Sequence, residues 1–198
     1  NEAGIFALQR YDKEAWGFEG GLRLDSKSVR NVRADRTFTN ISGSLAAFVR
    51  PAEGWFVGLS LSRTSRGLTE EELSSLGAHP ATGAFEVGDP RLGKEISNSV
   101  DASTHFNSDA VSLDAHLYYV DYDTFIDLVP TGAIDPDSGF PVFNFVESRA
   151  KFYGTEAQAS VRVWRDGERY IVKYVHPDDD FTMRVSGDLG CRPRTAWS

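Results

Sequence analysis

Cysteine and methionine are almost missing from this sequence: Cys191 and Met183 each stand alone in 198 residues. A single cysteine excludes an internal disulfide framework and any cysteine-built zinc or iron–sulfur centre. Long apolar runs are missing as well. The best are short stretches such as LAAFV at 45–49, far below the ~18–20 residues of a membrane-spanning helix. Positive charge is in deficit, with 21 Lys and Arg against 29 Asp and Glu and a net charge of −8. That balance argues against a nucleic-acid partner, which would call for a basic face. The chain opens at Asn1 with no Met, charged n-region or apolar h-region, and is expected to be a piece of a longer protein.

What is present suffices for a folded domain, or two small ones. With 40% hydrophobic and 25% charged residues, disorder is excluded. Helical periodicity is scarce and period-two alternation recurs, so the chain reads as all-β. Trp16, Phe18, Gly20, Leu22 and Leu24 alternate with Gly17, Glu19, Gly21 and Arg23. Ile41, Gly43, Leu45, Ala47 and Val49 alternate with polar residues over 37–50, as do Trp55, Val57, Leu59 and Leu61 in the next segment. Val100 and Ala102 oppose Ser99, Asp101, Ser103 and His105; Val111, Leu113, Ala115, Leu117 and Tyr119 oppose Ser112, Asp114 and His116. Tyr153, Ala157, Ala159, Val161 and Val163 oppose Glu156, Gln158, Ser160 and Arg162. About eight strands result, with a ninth over 183–189. There is no internal repeat beyond this hairpin rhythm and no low-complexity tract.

The second face is rich in Gly, Ser, Asn and Asp. It fits either the wet side of a soluble sandwich or the lumen of a membrane barrel, and alternation alone does not choose. Connection lengths do. Short turns at 12–14, 51–54, 107–109 and 165–168 alternate with long loops at 26–36, 67–95 and 128–148. Outer-membrane barrels have this asymmetry, with tight periplasmic turns and long outer loops. Trp16, Trp55, Tyr118, Tyr119, Tyr122, Phe152, Tyr153 and Trp164 fall near expected strand ends, where an interfacial aromatic girdle would sit.

Several stretches carry a more specific signal. Gly88, Asp89, Pro90, Leu92 and Glu95 form a G-[DN]-P-x-L-x-x-E element that runs into ISNSVDASTHF at 96–106. YYVDYDTFIDLVPTG at 118–132, GFPVFNFVESRAKFYGTEAQASVRVW at 139–164 and the opening hairpin at 4–25 follow in consistent order and spacing. In these elements residues 1–190 resemble the barrel domain of TonB-dependent outer-membrane receptors; the tail at 191–198 diverges. The resemblance implies an antiparallel transmembrane arc of about 8–9 strands, toward the C-terminal part of a plugged barrel of roughly 22 strands. It implies an integral outer-membrane protein of a Gram-negative bacterium that imports a scarce nutrient: a metal chelate, siderophore, metal ion or cobalamin. The implied partners are the lipid bilayer, a plug domain expected outside this chain, the TonB energy-transducing complex acting through that plug, and the small nutrient itself.

On that resemblance the outer-loop residues His79, Glu86, Asp89, Asp135 and Asp137 are candidate ligand contacts. Glu19, Arg23, Arg50, Asp101, Asp114, Glu156 and Arg162 fall on the polar face and would line the lumen wall. His105 and His116 share that face, where a hydrogen-bonded structural histidine is the commoner outcome. HPDDD at 176–180 offers an imidazole and carboxylates, but the spacing of a calcium loop is missing and a solvated turn explains it. Neither a G-x-S-x-G elbow nor H-E-x-x-H is present, and no carboxylate pair is nominated for glycoside hydrolysis. The expectation is a non-enzyme with no cofactor and no resident metal. The competing reading is a soluble, secreted β-sandwich that binds carbohydrate; it requires Trp55, Leu59, Leu113 and Val161 to be buried between two sheets.

Overall fold

The computed structural model describes residues 1–165, 168–176 and 182–187, with side chains described through residue 162. Four strands come first: β1 (Glu2–Asp12), β2 (Trp16–Arg30), β3 (Asp35–Val49) and β4 (Trp55–Arg66). A short helix, α1 (Glu70–Ser74), and two short strands, β5 (Leu76–His79) and β6 (Ala84–Val87), interrupt the series. It resumes with β7 (Glu95–Asn107), β8 (Val111–Ile134), β9 (Pro141–Arg165), β10 (Glu168–His176) and β11 (Thr182–Gly187). The nine long strands pair antiparallel in the order β1-β2-β3-β4-β7-β8-β9-β10-β11. The β5–β6 hairpin lies off this path, and β6 joins β9 in parallel, with Phe85 opposite Val142.

Register preserves the alternation across the sheet. Ile5, Leu24 and Ile41 lie side by side, as do Leu45 and Leu61, then Val100 and Tyr119. A one-residue slip in any strand would send its apolar set to the other face, so the sequence pattern specifies the pairing strongly. Among the described residues nothing covers this apolar face: Leu22 is 68% exposed, Leu45 59%, Leu59 51%, and Trp55 and Val161 are exposed as well. Leu113 is half-exposed. No second sheet meets these residues among the described ones, and the sandwich alternative fails on that observation.

At one end the strands turn tightly. Lys13 N–H donates to Trp16 O at 2.8 Å and Trp55 N–H to Ala52 O at 3.0 Å. Gly54 adopts φ +75°, and a Cβ there would run into the Asn107 carbonyl, whose own amide bonds back to Gly54 O at 2.9 Å. This contact ties the β3–β4 and β7–β8 turns together. The expected turns at 12–14, 51–54 and 107–109 all lie at this end; residues 166–167 fall outside the described residues.

The opposite end departs from the expected loops in two places. Residues 26–36 are mostly strand: β2 continues to Arg30 and β3 begins at Asp35, leaving a turn in which Asn31 Oδ1 accepts from Arg33 N and Ala34 N at 2.9 and 2.7 Å. Residues 128–148 are mostly strand as well, a hairpin that projects beyond the sheet and turns over 135–140. In both, residues that extend past the apolar band have no outer apolar row to keep in register, so the pattern fades while the strand continues.

The 67–95 segment is a true long connection, and it is folded. Leu68 and Leu73, both fully buried, join Val29, Ala34, Phe38, Leu92 and Ile126 in one small core, with Phe145 packed against it. Val29 and Phe38 belong to the polar-face set of β2 and β3, so the loop lies over that face. In a flat sheet three strand spacings of about 4.8 Å separate β3 from β8, yet Phe38 and Ile126 share this core. Leu68, Leu73 and Leu92 of the loop bridge the two over the polar face, the arrangement expected on the inside of an arc.

Candidate ligand-facing surface

The loop body is organised by one ion-pair network. Arg66, at the end of β4, makes a two-pronged bond to Glu72, Nη1 to Oε2 at 3.0 Å and Nη2 to Oε1 at 2.9 Å, and reaches Glu95 Oε2 at 3.1 Å. Bonds to Glu72, joined by those to Glu95, hold the Arg66 guanidinium protonated against its burial. Burial pushes the Glu72 carboxyl up, but the Arg66 bonds and the Thr69 amide outweigh it and hold Glu72 below the usual carboxylate range. Thr69 and Glu72 also form a capping box: Glu72 N–H donates to Thr69 Oγ1 at 3.3 Å and Thr69 N–H to Glu72 Oε2 at 2.7 Å. This T-x-x-E signature is visible in the sequence and marks a helix that period counting over so short a stretch overlooks.

The Gly88–Glu95 element that carries the family resemblance closes the loop onto this network. Gly88 lies so near α1 that a Cβ would fall 2.7 Å from Glu71 O and 2.8 Å from Leu73 C. Its amide donates to Ser75 O at 2.9 Å, and Asp89 N–H to Glu72 O at 3.1 Å. Pro90 O accepts from Arg36. Leu92 fills the core and Glu95 meets Arg66. Each member of the motif has a structural task.

The outer-loop candidates divide accordingly. His79 and Glu86 are brought together across the β5–β6 hairpin, Nδ1 to Oε2 at 3.5 Å, and Glu86, nearly buried, accepts from Thr82 Oγ1 at 3.1 Å. Asp89 is held by Arg91, Oδ2 to Nη2 at 2.8 Å, and the Arg91 guanidinium and amide keep its carboxyl below the usual range. Asp135 accepts from the Ser138 hydroxyl and amide at 2.6 and 2.8 Å, which lower its pKa in the same way. Asp137 lies in the same turn, at the tip of the projecting hairpin. The five do not converge. Among the described residues no group of three His, Cys, Asp or Glu side chains stands ready to hold a metal ion.

The wall candidates all occupy the polar face, spread along its length. Arg23 grips Asp25, Nη2 to Oδ1 at 2.6 Å, and Glu19 lies 3.7 Å from Arg10. Arg50 and Arg162 sit at the tight-turn end. Arg50 donates to Asp12 Oδ1 at 2.9 Å and Lys13 O at 2.8 Å, and Arg162 to Asp109 O at 2.8 Å. Arg50, with Arg10, holds the Asp12 carboxyl below its usual range. Asp101 lies between Ser60 and Tyr118, Asp114 bonds His105 at 2.6 Å, and Glu156 stands opposite His116.

Three girdle candidates need correction. Register places Tyr118, Tyr122 and Phe152 on the polar face, so they cannot meet lipid from the arc's outer side. Tyr122, Phe125 and Phe152 instead form an edge-to-face cluster with ring centroids 5.0–5.6 Å apart. Counting by twos reaches Tyr118 and Tyr122 from His116 and Phe152 from Glu156, whereas Phe125 lies beyond a register shift. Tyr119 and Tyr153 do lie on the apolar face, exposed, and Trp16 and Trp55 stand at strand starts beside Tyr11 and Phe106. Trp164 falls outside the described side chains.

An open antiparallel sheet with a bare apolar outer face, tight turns at one end and a folded loop at the other defines an arc of a β-barrel. The family model for the TonB dependent receptor-like β-barrel matches residues 1–190, and the chain belongs to that family. Solved structures agree on the fold. The siderophore receptor PirA from Pseudomonas aeruginosa matches with a TM-score of 0.66 at 16% identity, covering 94% of this chain and 35% of the receptor. The copper transporter OprC gives 0.71 at 19%, covering 88% and 28%, and the hemophore receptor HasR from Serratia marcescens 0.65 at 17%, covering 88% and 33%. The chain thus spans about a third of the length of these receptors. The family is one of outer-membrane β-barrels, and these relatives are receptors and a transporter.

Proposed function

We propose that this chain is wall and outer-loop structure of an outer-membrane importer for a scarce nutrient of the metal-chelate, siderophore, metal-ion or cobalamin class. The observation that carries the reading is the bare apolar face. Its continuous band of Leu, Val, Ala and aromatic side chains is costly in water and favourable in hydrocarbon, and strand pairing satisfies the backbone groups beneath it. Siderophore, copper and haem–hemophore receptors among the structural relatives support nutrient uptake as a class.

In this reading the outer loops, with His79, Glu86, Asp89, Asp135 and Asp137, meet the arriving nutrient. The polar wall faces a plug domain, and TonB acts on that plug to open a path. No covalent chemistry is required of these residues; selective binding and gated passage suffice.

The test has two arms. Single tryptophans at positions 59 and 60, in the protein at its natural length reconstituted with brominated lipid, should differ: quenching at 59 and none at 60. A deletion strain offered ferric siderophore, haem, copper or cobalamin as the limiting source should fail on one of them. Equal quenching at both positions, or growth on all sources, overturns the proposal.

A further inference from the structure

We propose that His105 and His116 form a binding site for a divalent first-row transition-metal ion such as Cu²⁺ or Zn²⁺, on the inner wall near the tight-turn end. Asp114 acts as the positioning residue. The two histidines project from the polar face of adjacent strands, diagonal across the β7–β8 pairing, in which His105 stands opposite Asp114 and Ser103 opposite His116. Their ring centroids are 5.2 Å apart, with planes inclined at 69°. Two imidazoles bound through nitrogens at ~2.0 Å to one tetrahedral ion have centroids about 5 Å apart. The backbone therefore already sets the spacing that such an ion requires.

Asp114 adds the second observation. Its Oδ1 lies 2.6 Å from His105 Nδ1, a contact that turns Nδ1 toward the carboxylate and leaves Nε2 as the nitrogen to face the ion. A carboxylate behind a histidine is how metal-binding imidazoles are commonly oriented, because it fixes the tautomer and raises ligand basicity. Phe56 lies against the other side of His105, with centroids 5.5 Å apart, and limits its swing. His116 is exposed, free to turn its ring nitrogen toward the ion. Among the described residues the protein thus supplies two imidazoles and no third side chain, and water completes the coordination. Imidazole suits Zn²⁺, Cu²⁺ and Ni²⁺ better than Mg²⁺ or Ca²⁺. The site requires only that the inner face be wetted. It does not depend on which nutrient is imported.

The experiment is Cu²⁺ titration of the protein at its natural length in detergent, read by equilibrium dialysis and electron paramagnetic resonance, with Zn²⁺ as competitor. Folding of every variant is checked by heat-modifiable electrophoretic mobility. The expected result is one micromolar Cu²⁺ equivalent with coupling to two imidazole nitrogens. His116→Gln and His105→Gln should each remove one coupled nitrogen and weaken binding at least tenfold. Asp114→Asn should weaken it roughly 10–100-fold while both nitrogens remain coupled. Failure of the natural protein to bind Cu²⁺, or binding and coupling that survive His116→Gln, overturns the proposal. Either result leaves the import reading standing, since growth and quenching test that separately.

Discussion

Arg66 and Glu72, six residues apart, face each other in a bidentate ion pair that joins the end of a long strand to the first turn of the loop helix. Glu95 binds the same guanidinium from the strand at which the loop ends. One cation thus holds both ends of the 67–95 connection. Glu72→Gln, which leaves size unchanged, should raise amide exchange over 69–92 at least tenfold. Exchange in β2 and β3 below the loop should stay unchanged. Hydrogen exchange by mass spectrometry reads this directly; a rise spread evenly over the sheet would contradict it.

The same pair sets a pH dependence. Glu72 has its folded pKa lowered, so its contribution is fully present above the ordinary glutamate range. It is lost only as pH falls through the still lower folded value. Loop protection should therefore be flat from about pH 8 to 5 and decline below about pH 4. Glu72→Gln should shrink the acidic step to the part that Asp89, held low by Arg91 in the same loop, contributes. Exchange or limited proteolysis across that range checks it.

Leu73 is fully buried in the loop core. Leu73→Ala should cost about 2–5 kcal/mol of local stability, as large-to-small changes in sealed cores do. The expected readout is rapid protease cleavage between residues 76 and 88 with the barrel still folded. Resistance equal to that of the natural protein would show that the core does not hold the loop.

Gly88 makes a sharper test, because a single methyl group is added where backbone stands. Gly88→Ala would press Cβ against Glu71 O and the Leu73 carbonyl carbon, neither of which can swing away as a side chain could. The same loop opening should follow. Gly77→Ala, at a position with open space around it, should be silent.

Neighbouring positions on β4 test the two faces. Leu59→Arg puts a charge on the apolar band and should cost about 2–4 kcal/mol near the bilayer midplane, lowering outer-membrane abundance. Ser60→Arg, one residue along, points inward and should assemble normally. Abundance after fractionation, with urea unfolding of the assembled protein, distinguishes the two.

Strand pairing was legible because alternation over a dozen residues leaves one register that keeps every apolar side chain together; Leu45 against Leu61 and Val100 against Tyr119 follow from it. The final strand, expected over 183–189, runs over Thr182–Gly187. What escaped lies beyond the apolar band. Lys27, Ser28 and Arg30 continue β2 beyond the apolar band, where Val29 alone is buried, under the loop, and no alternating apolar row marks the strand, so they read as loop. The candidate site was less legible than the fold. His79 and Glu86 meet because a hairpin folds back, which spacing alone does not disclose. Asp89, picked out as a possible ligand contact, is engaged by Arg91.

The small core beneath the loop draws on β2, β3 and β8, strands well apart along the sheet, and Phe145 of β9 packs against it. Mechanically it is a strap laid over the polar side of the wall. A molecule that lifted this loop would do more than clear an entrance. It would also uncover Val29, Phe38 and Ile126, so each opening of the loop has to be offset by apolar contact with whatever lifts it.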